Sequence, residues 1–220
     1  MFSSKRDLIF VVLAGIFITN AVVAELIGGK LIQILGFTFS LGILPWPIVF
    51  ITTDLINEYF GHKGVRKLTL ITAVLICYAF ILLFMGMQIP AASFSPVQDK
   101  EFSLVFGQSM WIIVGSVIAF VVSQFLDVFI FGQFKKRTGA KHIWLRATGS
   151  TMLSQLIDTF IVLGIAFYLP GKISGKQFWE MGSVGYSTKL IIAVLLTPLI
   201  YLGHWVIGSI LKKDSINKSN

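Results

Sequence analysis

The fold class is decided by residues 68–89, which read LTLITAVLICYAFILLFMGMQI. This stretch contains no charged side chain, and a helix of about 20 apolar residues is what crosses a hydrocarbon core about 30 Å thick. Around it, 55% of the 220 residues are hydrophobic and only 13% are charged, whereas soluble proteins carry roughly 25% charged residues. The composition therefore predicts an integral membrane protein.

Six stretches are long and apolar enough to span a membrane as helices. They are residues 8–27, 41–60, 68–89, 110–131, 143–168 and 184–211. The second is the weakest, because Pro45 and Pro47 leave only 47–60 as continuous helix. We expect this span to be short or broken, which is tolerated where backbone packs on protein or lines a cavity. The sequence thus predicts one all-α transmembrane domain over residues 1–220, a bundle of six helices.

The distribution of basic residues predicts the orientation of these helices. The net charge is +8, from 18 Lys and Arg residues against 10 Asp and Glu residues. All of these basic residues except Lys189 lie in short gaps between apolar stretches rather than on a soluble domain. This placement argues against nucleic-acid binding. Thirteen of them fall in gaps on one side and four on the other, so the positive-inside rule predicts that both termini are cytoplasmic. Residues 8–24 also resemble a signal peptide, but the later spans favour an uncleaved helix.

The sequence offers little for catalysis or metal binding. The one cysteine, Cys77, excludes an intramolecular disulfide and a multi-cysteine metal site. His62, His142 and His204 are dispersed and lack the spacing of a helical zinc site. The sequence also has no recognisable nucleophile elbow. We therefore expect a protein that is not an enzyme and that binds neither a metal nor a cofactor.

Polar side chains inside the spans are the candidates for function, since they are costly in lipid and usually face a bundle interior or a pathway. They are Asn20, Glu25, Asp54, Asn57, Glu58, Gln124, Asp127, Gln155, Asp158 and Lys189. Their depths predict a polar column with carboxylates toward the cytoplasm, amides near the midplane, and Asp158 with Lys189 in the outer half. Such a column is typical of a route for a small polar solute.

Some of these residues also have simpler interpretations. Glu25 lies near the outer end of the first span, so we expect it at the membrane interface rather than in a site. Lys189 either pairs with Asp158 or extends to the outer headgroups. The tryptophans lie near span ends, as in aromatic belts. Trp46, between two prolines, is the one expected to touch a ligand.

One pattern occurs in both the fourth and the fifth span. Residues 123–130 read SQFLDVFI and residues 154–161 read SQLIDTFI. Gln and Asp three residues apart lie on one helix face, so each span offers an amide and a carboxylate together. We expect a shared role in binding a ligand or ion. The alternatives are hydrogen bonding between helices and an inverted repeat of the kind found in transporters.

Four motifs occur in a specific order along the chain. They are PIVFITTDLINEYFG at 47–61, QFLDVFIF at 124–131, WLRATGSTMLSQLIDT at 144–159 and YSTK at 186–189. With these motifs the chain resembles the bacterial queuosine precursor transporter family, also called the vitamin uptake transporter family. The resemblance extends from Asn20 to about Tyr201.

This resemblance implies a six-helix protein of the bacterial inner membrane that imports 7-cyano-7-deazaguanine or its 7-aminomethyl relative, precursors of the modified tRNA base queuosine. It implies substrate-binding roles for Asn20, Asp54, Glu58, Gln124, Asp127, Gln155, Asp158 and Lys189. A guanine-like edge offers N–H donors to a carboxylate and a carbonyl acceptor to an amide or a lysine. Trp46, Phe50 and Tyr186 are the aromatic residues expected to stack on the heterocycle.

A secondary transporter or facilitator with a site between helices is the favoured interpretation. Two alternatives remain open: a substrate-binding subunit of an ATPase-energised vitamin uptake complex, and an intramembrane enzyme. The expected partners are a small purine-like substrate and membrane lipids, with a homo-oligomer left open.

Overall fold

The computed structural model describes residues 4–28, 30–34, 37–107, 110–138 and 143–219. Seven α-helices and one β-hairpin follow one another along these residues. The helices are α1 (Lys5–Ile27), α2 (Trp46–Met87), α3 (Asp99–Phe106), α4 (Met110–Thr138), α5 (Ile143–Leu163), α6 (Gly175–Leu195) and α7 (Thr197–Ser219). The strands are β1 (Leu31–Ile34) and β2 (Phe37–Ser40), with a 3-10 turn at Leu41–Ile43 and a π-helical turn at Gly164–Tyr168.

Five helical stretches among the described residues are long and apolar enough to cross a membrane. They are Lys5–Ile27, Leu41–Met87, Ile112–Thr138, Leu145–Tyr168 and Gly175–Lys212. These stretches confirm a multi-pass membrane protein built from α-helices. The predicted count of six spans is not confirmed, because the second and third predicted spans fall in one helix.

That helix, α2, contains both predicted spans, 41–60 and 68–89. Pro45 precedes it and Pro47 lies in its first turn. Backbone N–H groups in the first turn have no acceptor within the helix, so a proline there costs no hydrogen bond. The prolines therefore mark the start of the helix. The chain leaves helical geometry at Gly61, where φ is 78° and ψ is 168°, a conformation that favours glycine. A short second span stays a prediction.

A hairpin that the sequence analysis did not predict joins α1 to α2. Its strands pair antiparallel, with Leu31 opposite Ser40. The Ser40 hydroxyl donates to the Gly28 carbonyl over 2.6 Å and accepts from the Gly42 N–H over 3.2 Å. A Cβ atom on Gly42 would lie 2.8 Å from the Ala24 carbonyl oxygen, so this close approach requires glycine. The connection is thereby held against the end of α1.

The interior combines an apolar core with many buried polar side chains. Phe17, Val49, Ile56 and Phe120 pack together between α1, α2 and α4, almost wholly shielded. Large apolar side chains are exposed on the outside, as expected for helices that face lipid. The buried polar side chains come from α1, α2, α4 and α5. They form two groups, one around a cavity and one in tightly packed protein.

Candidate functional site

A cavity of about 740 Å³ opens between α1, α2, α4, α5 and α6. This volume lies within the range of about 300–1,000 Å³ that small-molecule sites occupy. Most of the wall is apolar, with a few polar groups of the kind that orient a ligand. The polar side chains in the wall are Glu25, Ser40, Ser116, Asp158, Thr159, Glu180 and Lys189.

An ion pair joins α5 to α6 in this wall. The Lys189 ammonium donates to Asp158 Oδ2 over 2.6 Å. The predicted pairing of these two residues is confirmed. The side chains are 26% and 11% exposed, respectively, so the pair is largely removed from bulk solvent while it still faces the cavity. A pair in this position can offer both a donor and an acceptor to a bound molecule.

Glu25 is the residue whose placement differs most from expectation. Sequence analysis placed it at the membrane interface, whereas the structure leaves it only 8% exposed in the cavity wall. The Ser116 hydroxyl of α4 donates to Glu25 Oε2, and the carboxylate also interacts electrostatically with Asp158 and Lys189. Glu25 is therefore part of the cavity wall, and its depth at the membrane interface stays a prediction.

A signal for this burial was present in the sequence. Leu13, Phe17, Ala21 and Glu25 follow one another at intervals of four residues, and all four are buried. Side chains at this spacing share one helix face. Because the first three are apolar, the pattern marks the face of α1 that meets the bundle, and it assigns Glu25 to the same face.

Two aromatic side chains of α2 complete the cavity wall. Trp46 and Phe50 lie with ring centroids 5.9 Å apart and planes inclined by 23°, and both line the cavity. Tyr186, the third predicted stacking residue, is half-buried and is not part of the described wall. The cavity thus presents aromatic surface on α2 and charged groups on α1, α5 and α6.

Other predicted site residues lie in packed protein away from this cavity. Asp54, Gln124 and Asp127 are all buried. Thr53 donates to Gln124 Oε1 over 3.3 Å, and Ser154 donates to Asp127 Oδ1 over 3.2 Å. These bonds join α2 to α4 and α4 to α5. The space beside Asp54 amounts to only about 10 Å³, about enough for one water molecule.

Asp54 and Asp127 nevertheless differ in how well they are hydrogen-bonded. Asp127 interacts with the hydroxyls of Ser150 and Thr151 as well as Ser154. Asp54 Oδ1 has no hydrogen-bond partner among the described residues. The two carboxylates interact electrostatically with each other. Burial of an acceptor without a hydrogen-bond partner lowers the stability of the folded protein. Asp54 is therefore the less well stabilised of the two carboxylates.

Glu58 forms the centre of an ion-paired cluster one turn beyond Asp54. Glu58 Oε2 lies 3.1 Å from both Arg146 Nη2 and Lys135 Nζ, and Lys135 also donates to the Glu58 carbonyl. Arg146 is 1% exposed and lies over the Phe131 ring. The cluster ties α2, α4 and α5 together. We call Glu58, Lys135 and Arg146 the ion-paired cluster.

The remaining predicted residues are Asn20 and Gln155. Asn20 is half-buried, and its amide donates to the Ile16 carbonyl of its own helix over 2.8 Å. Gln155 is buried on α5. Neither belongs to the described cavity wall. Of the eleven predicted substrate-binding residues, the wall brings together Trp46, Phe50, Asp158 and Lys189, and it adds Glu25 and Ser116.

Among the described residues, no group of three or more His, Cys, Asp and Glu side chains is arranged to hold a metal ion. The charged groups in the cavity wall are instead suited to hydrogen bonds with an organic ligand.

Comparison with known proteins gives consistent matches over most of the chain. A family model described as "Putative vitamin uptake transporter" matches residues 40–203. A "Probable queuosine precursor transporter" of Bacillus subtilis is 32% identical over 174 residues, which is 78% of this chain and 74% of that protein. The corresponding protein of Haemophilus influenzae is 30% identical over 73% of this chain and 66% of its own length.

A "Queuosine precursor transporter" of Escherichia coli is 28% identical over 193 residues, covering 84% of this chain and 82% of that protein. No solved structure matches. The matched range of the family model includes α2, α4, α5 and α6, with the aromatic pair and the ion pair of the cavity. Glu25 lies outside it.

Proposed function

Because this chain belongs to the vitamin uptake transporter family, we propose that it imports a queuosine precursor, 7-cyano-7-deazaguanine or 7-aminomethyl-7-deazaguanine, across the bacterial inner membrane. The proposal draws the substrate class from the names of the relatives in Bacillus, Haemophilus and Escherichia. The protein acts as a transporter without enzymatic activity, as a bundle of six membrane-spanning helices with both termini in the cytoplasm.

The cavity is the observation that carries the proposal. A 7-deazaguanine is a flat bicyclic molecule with two apolar faces and one edge of hydrogen-bonding groups. The Trp46 and Phe50 rings provide a surface on which such a face stacks. The Asp158–Lys189 pair and the other polar side chains of the wall provide partners for the edge.

The distribution of basic residues indicates the side of the membrane from which a solute reaches this cavity. The cavity wall includes Ser40, the last residue of the hairpin, and Phe167, in the π-helical turn before α6. The positive-inside rule assigns both segments to the outer side. This orientation supports entry of the solute from the outer side. A solute enters from that side and is held between the helices.

The ion-paired cluster closes the cytoplasmic side of the route. Glu58 lies twelve residues beyond Trp46 on α2, a distance of about 18 Å along a helix. Release of the solute into the cell therefore requires Glu58 to separate from Arg146 and Lys135. Such alternating closure on the two sides of a central site is the mechanism of secondary transporters.

The proposal is tested in bacteria that can neither make the precursor nor import it. They receive 7-cyano-7-deazaguanine or its aminomethyl relative at low concentration, and queuosine in tRNA is measured. We expect the wild-type protein to restore queuosine and Asp158→Asn to reduce it about tenfold or more at equal protein level. Glu101→Gln, the same kind of change on the exposed helix α3, is the matched control and should restore it fully.

The need for an energising partner is tested with purified protein in liposomes. Uptake by the protein alone supports a secondary transporter or facilitator. Absence of uptake, together with binding of the precursor, would instead support a substrate-binding subunit that needs an ATPase. Absence of both binding and restoration would overturn the proposed substrate.

A further inference from the structure

Three carboxylates line the described cavity wall, and they have different partners. Glu180 pairs with Lys176 of its own helix over 3.7 Å. Asp158 is held by the Lys189 ammonium over 2.6 Å. Glu25 accepts a hydrogen bond from the Ser116 hydroxyl at Oε2. A carboxylate has two oxygens with about four acceptor positions, so such a group can accept from two neighbouring donors of one ligand. The Ser116 bond also fixes the orientation of the carboxylate, because it joins α1 to α4.

The surroundings of Glu25 place it against charged groups of α5 and α6. Its carboxylate interacts electrostatically with both Asp158 and Lys189 across the cavity. The three charged groups therefore lie along one region of the wall, and the aromatic rings of Trp46 and Phe50 lie in the same wall. One flat ligand can stack on the rings and present its edge to this row of charges.

The edge of a guanine-like ring carries a carbonyl oxygen, a ring N–H and an exocyclic amine side by side. The carbonyl requires a donor, and the two neighbouring groups require acceptors. A lysine and a carboxylate in the same cavity wall match this order, because the ammonium supplies the donor and the two carboxylate oxygens accept from the ring N–H and the amine. Lys189 and Glu25 have the chemistry for these two parts.

We propose that Glu25, oriented by Ser116, is the specificity-determining residue that binds the ring N–H and the exocyclic amine of the substrate, while Lys189 donates to the ring carbonyl. This inference rests on the proposed function, since it assumes a 7-deazaguanine ligand. Glu25 lies outside the range that the family model matches. Its side chain is only 8% exposed. Desolvation at such a site strengthens discrimination, because a missing partner leaves a buried polar group unsatisfied.

The test measures binding of two ligands to purified full-length protein by isothermal titration. One ligand is 7-cyano-7-deazaguanine, and the other is the same compound without the exocyclic amine. We expect the wild-type protein to bind the first about 10- to 100-fold more tightly. In Glu25→Gln an N–H2 group replaces one acceptor oxygen, and it cannot accept a hydrogen bond from the exocyclic amine. The preference for the ligand that carries the amine should therefore fall to about twofold or less.

Two further variants separate recognition of the edge from general weakening of the site. Asp158→Asn should weaken binding of both ligands by a similar factor and keep the preference between them. Ser116→Ala should reduce the preference partly, because Glu25 loses its fixed orientation. Melting temperatures of all variants show whether each is folded, and Glu25→Met, which has no acceptor oxygen, replaces Glu25→Gln if the latter fails to fold.

The outcomes distinguish this inference from the proposed function. An unchanged preference in a folded Glu25 variant overturns the role of Glu25 while import of the precursor stands. Equal affinity of the wild-type protein for both ligands would also overturn the role of Glu25 while import of the precursor stands. Wild-type protein that binds neither ligand overturns the proposed function and this inference together.

Discussion

The same Ser-Gln-x-x-Asp sequence occurs on α4 and α5, yet the two copies lie in different surroundings. Asp158 of α5 faces the cavity and pairs with Lys189. Asp127 of α4 is enclosed in packed protein, where Ser154 from the other copy donates to it. The motif alone therefore does not define a binding site. Where neighbouring helices leave space beside the aspartate, as at Asp158, the carboxylate is accessible to a ligand. Where they leave none, as at Asp127, the carboxylate forms hydrogen bonds between helices.

The two ends of the bundle show the same contrast on a larger scale. At the cavity end, charged groups of α1, α5 and α6 surround open space. At the other end, the ion-paired cluster draws α2, α4 and α5 together. Charged groups thus line open space at one end of the bundle, whereas at the other end they join three helices. This difference leads to three predictions, in decreasing order of expected effect.

The largest effect is expected at Arg146. Arg146→Met leaves the Glu58 carboxylate without its buried partner, and loss of one member of a buried pair lowers the free energy of unfolding by about 3–5 kcal/mol. Unfolding in mixed detergent and SDS micelles measures the change. Lys135→Met is the matched control, because Lys135 contacts the same Glu58 oxygen but is 41% exposed, and we expect a loss of about 1 kcal/mol or less.

Equal losses in Arg146→Met and Lys135→Met would contradict the assignment of Arg146 as the buried member of the cluster. The double variant Glu58→Gln with Arg146→Met provides a second test. Because it removes both charges, it should be more stable than Arg146→Met alone.

The second prediction compares the aspartates of the two copies. Asp158→Asn should weaken binding of the precursor about tenfold, which corresponds to about 1.4 kcal/mol. Asp127→Asn should change the affinity of the folded protein by less than about twofold, since that side chain does not line the cavity. Isothermal titration of both variants measures the difference. Similar losses would show that the packed group also contacts the solute, and the distinction between the two regions would fail.

The smallest effect is expected for the serines of the two copies. Each serine also donates to a backbone carbonyl of its own helix, Ser154 to Thr151 and Ser123 to Phe120. Within the described part of the chain, Ser154 also donates to Asp127 of the other helix, whereas Ser123 has no such bond. Ser154→Ala should therefore lower stability by about 1 kcal/mol more than Ser123→Ala. Thermal unfolding of the two variants gives this difference, and a larger loss in Ser123→Ala would reverse the comparison.

The sequence was a good guide where length and hydrophobicity determine structure. Residues 8–27, 110–131 and 143–168 all fall in helices that can span a membrane. The Asp158–Lys189 pair was also predictable, because an unpaired charge within a span is costly and the two residues lie at similar depth. Trp46 was expected beside a ligand, and it lines the cavity.

The remaining features depend on contacts that no single span specifies. The hairpin has alternating apolar and polar residues at 37–40, a weak strand signal that a membrane context obscures. Its contact with the end of α1 brings Ser40 into the same cavity wall as Glu25. The separation of Asp127 from the cavity depends on how closely α4 packs on α5, which periodicity does not reveal.

The bend at Gly61 also has a consequence for how the protein is made. The part of α2 before Gly61 comprises about 15 residues, which rise about 22 Å as a helix, less than the thickness of the hydrocarbon core. It also carries Glu58, whose partners Lys135 on α4 and Arg146 on α5 are synthesised later. We therefore expect this segment to enter the bilayer late, after α4 and α5 have left the ribosome. Biogenesis, like transport, would then depend on the polar interior of the bundle.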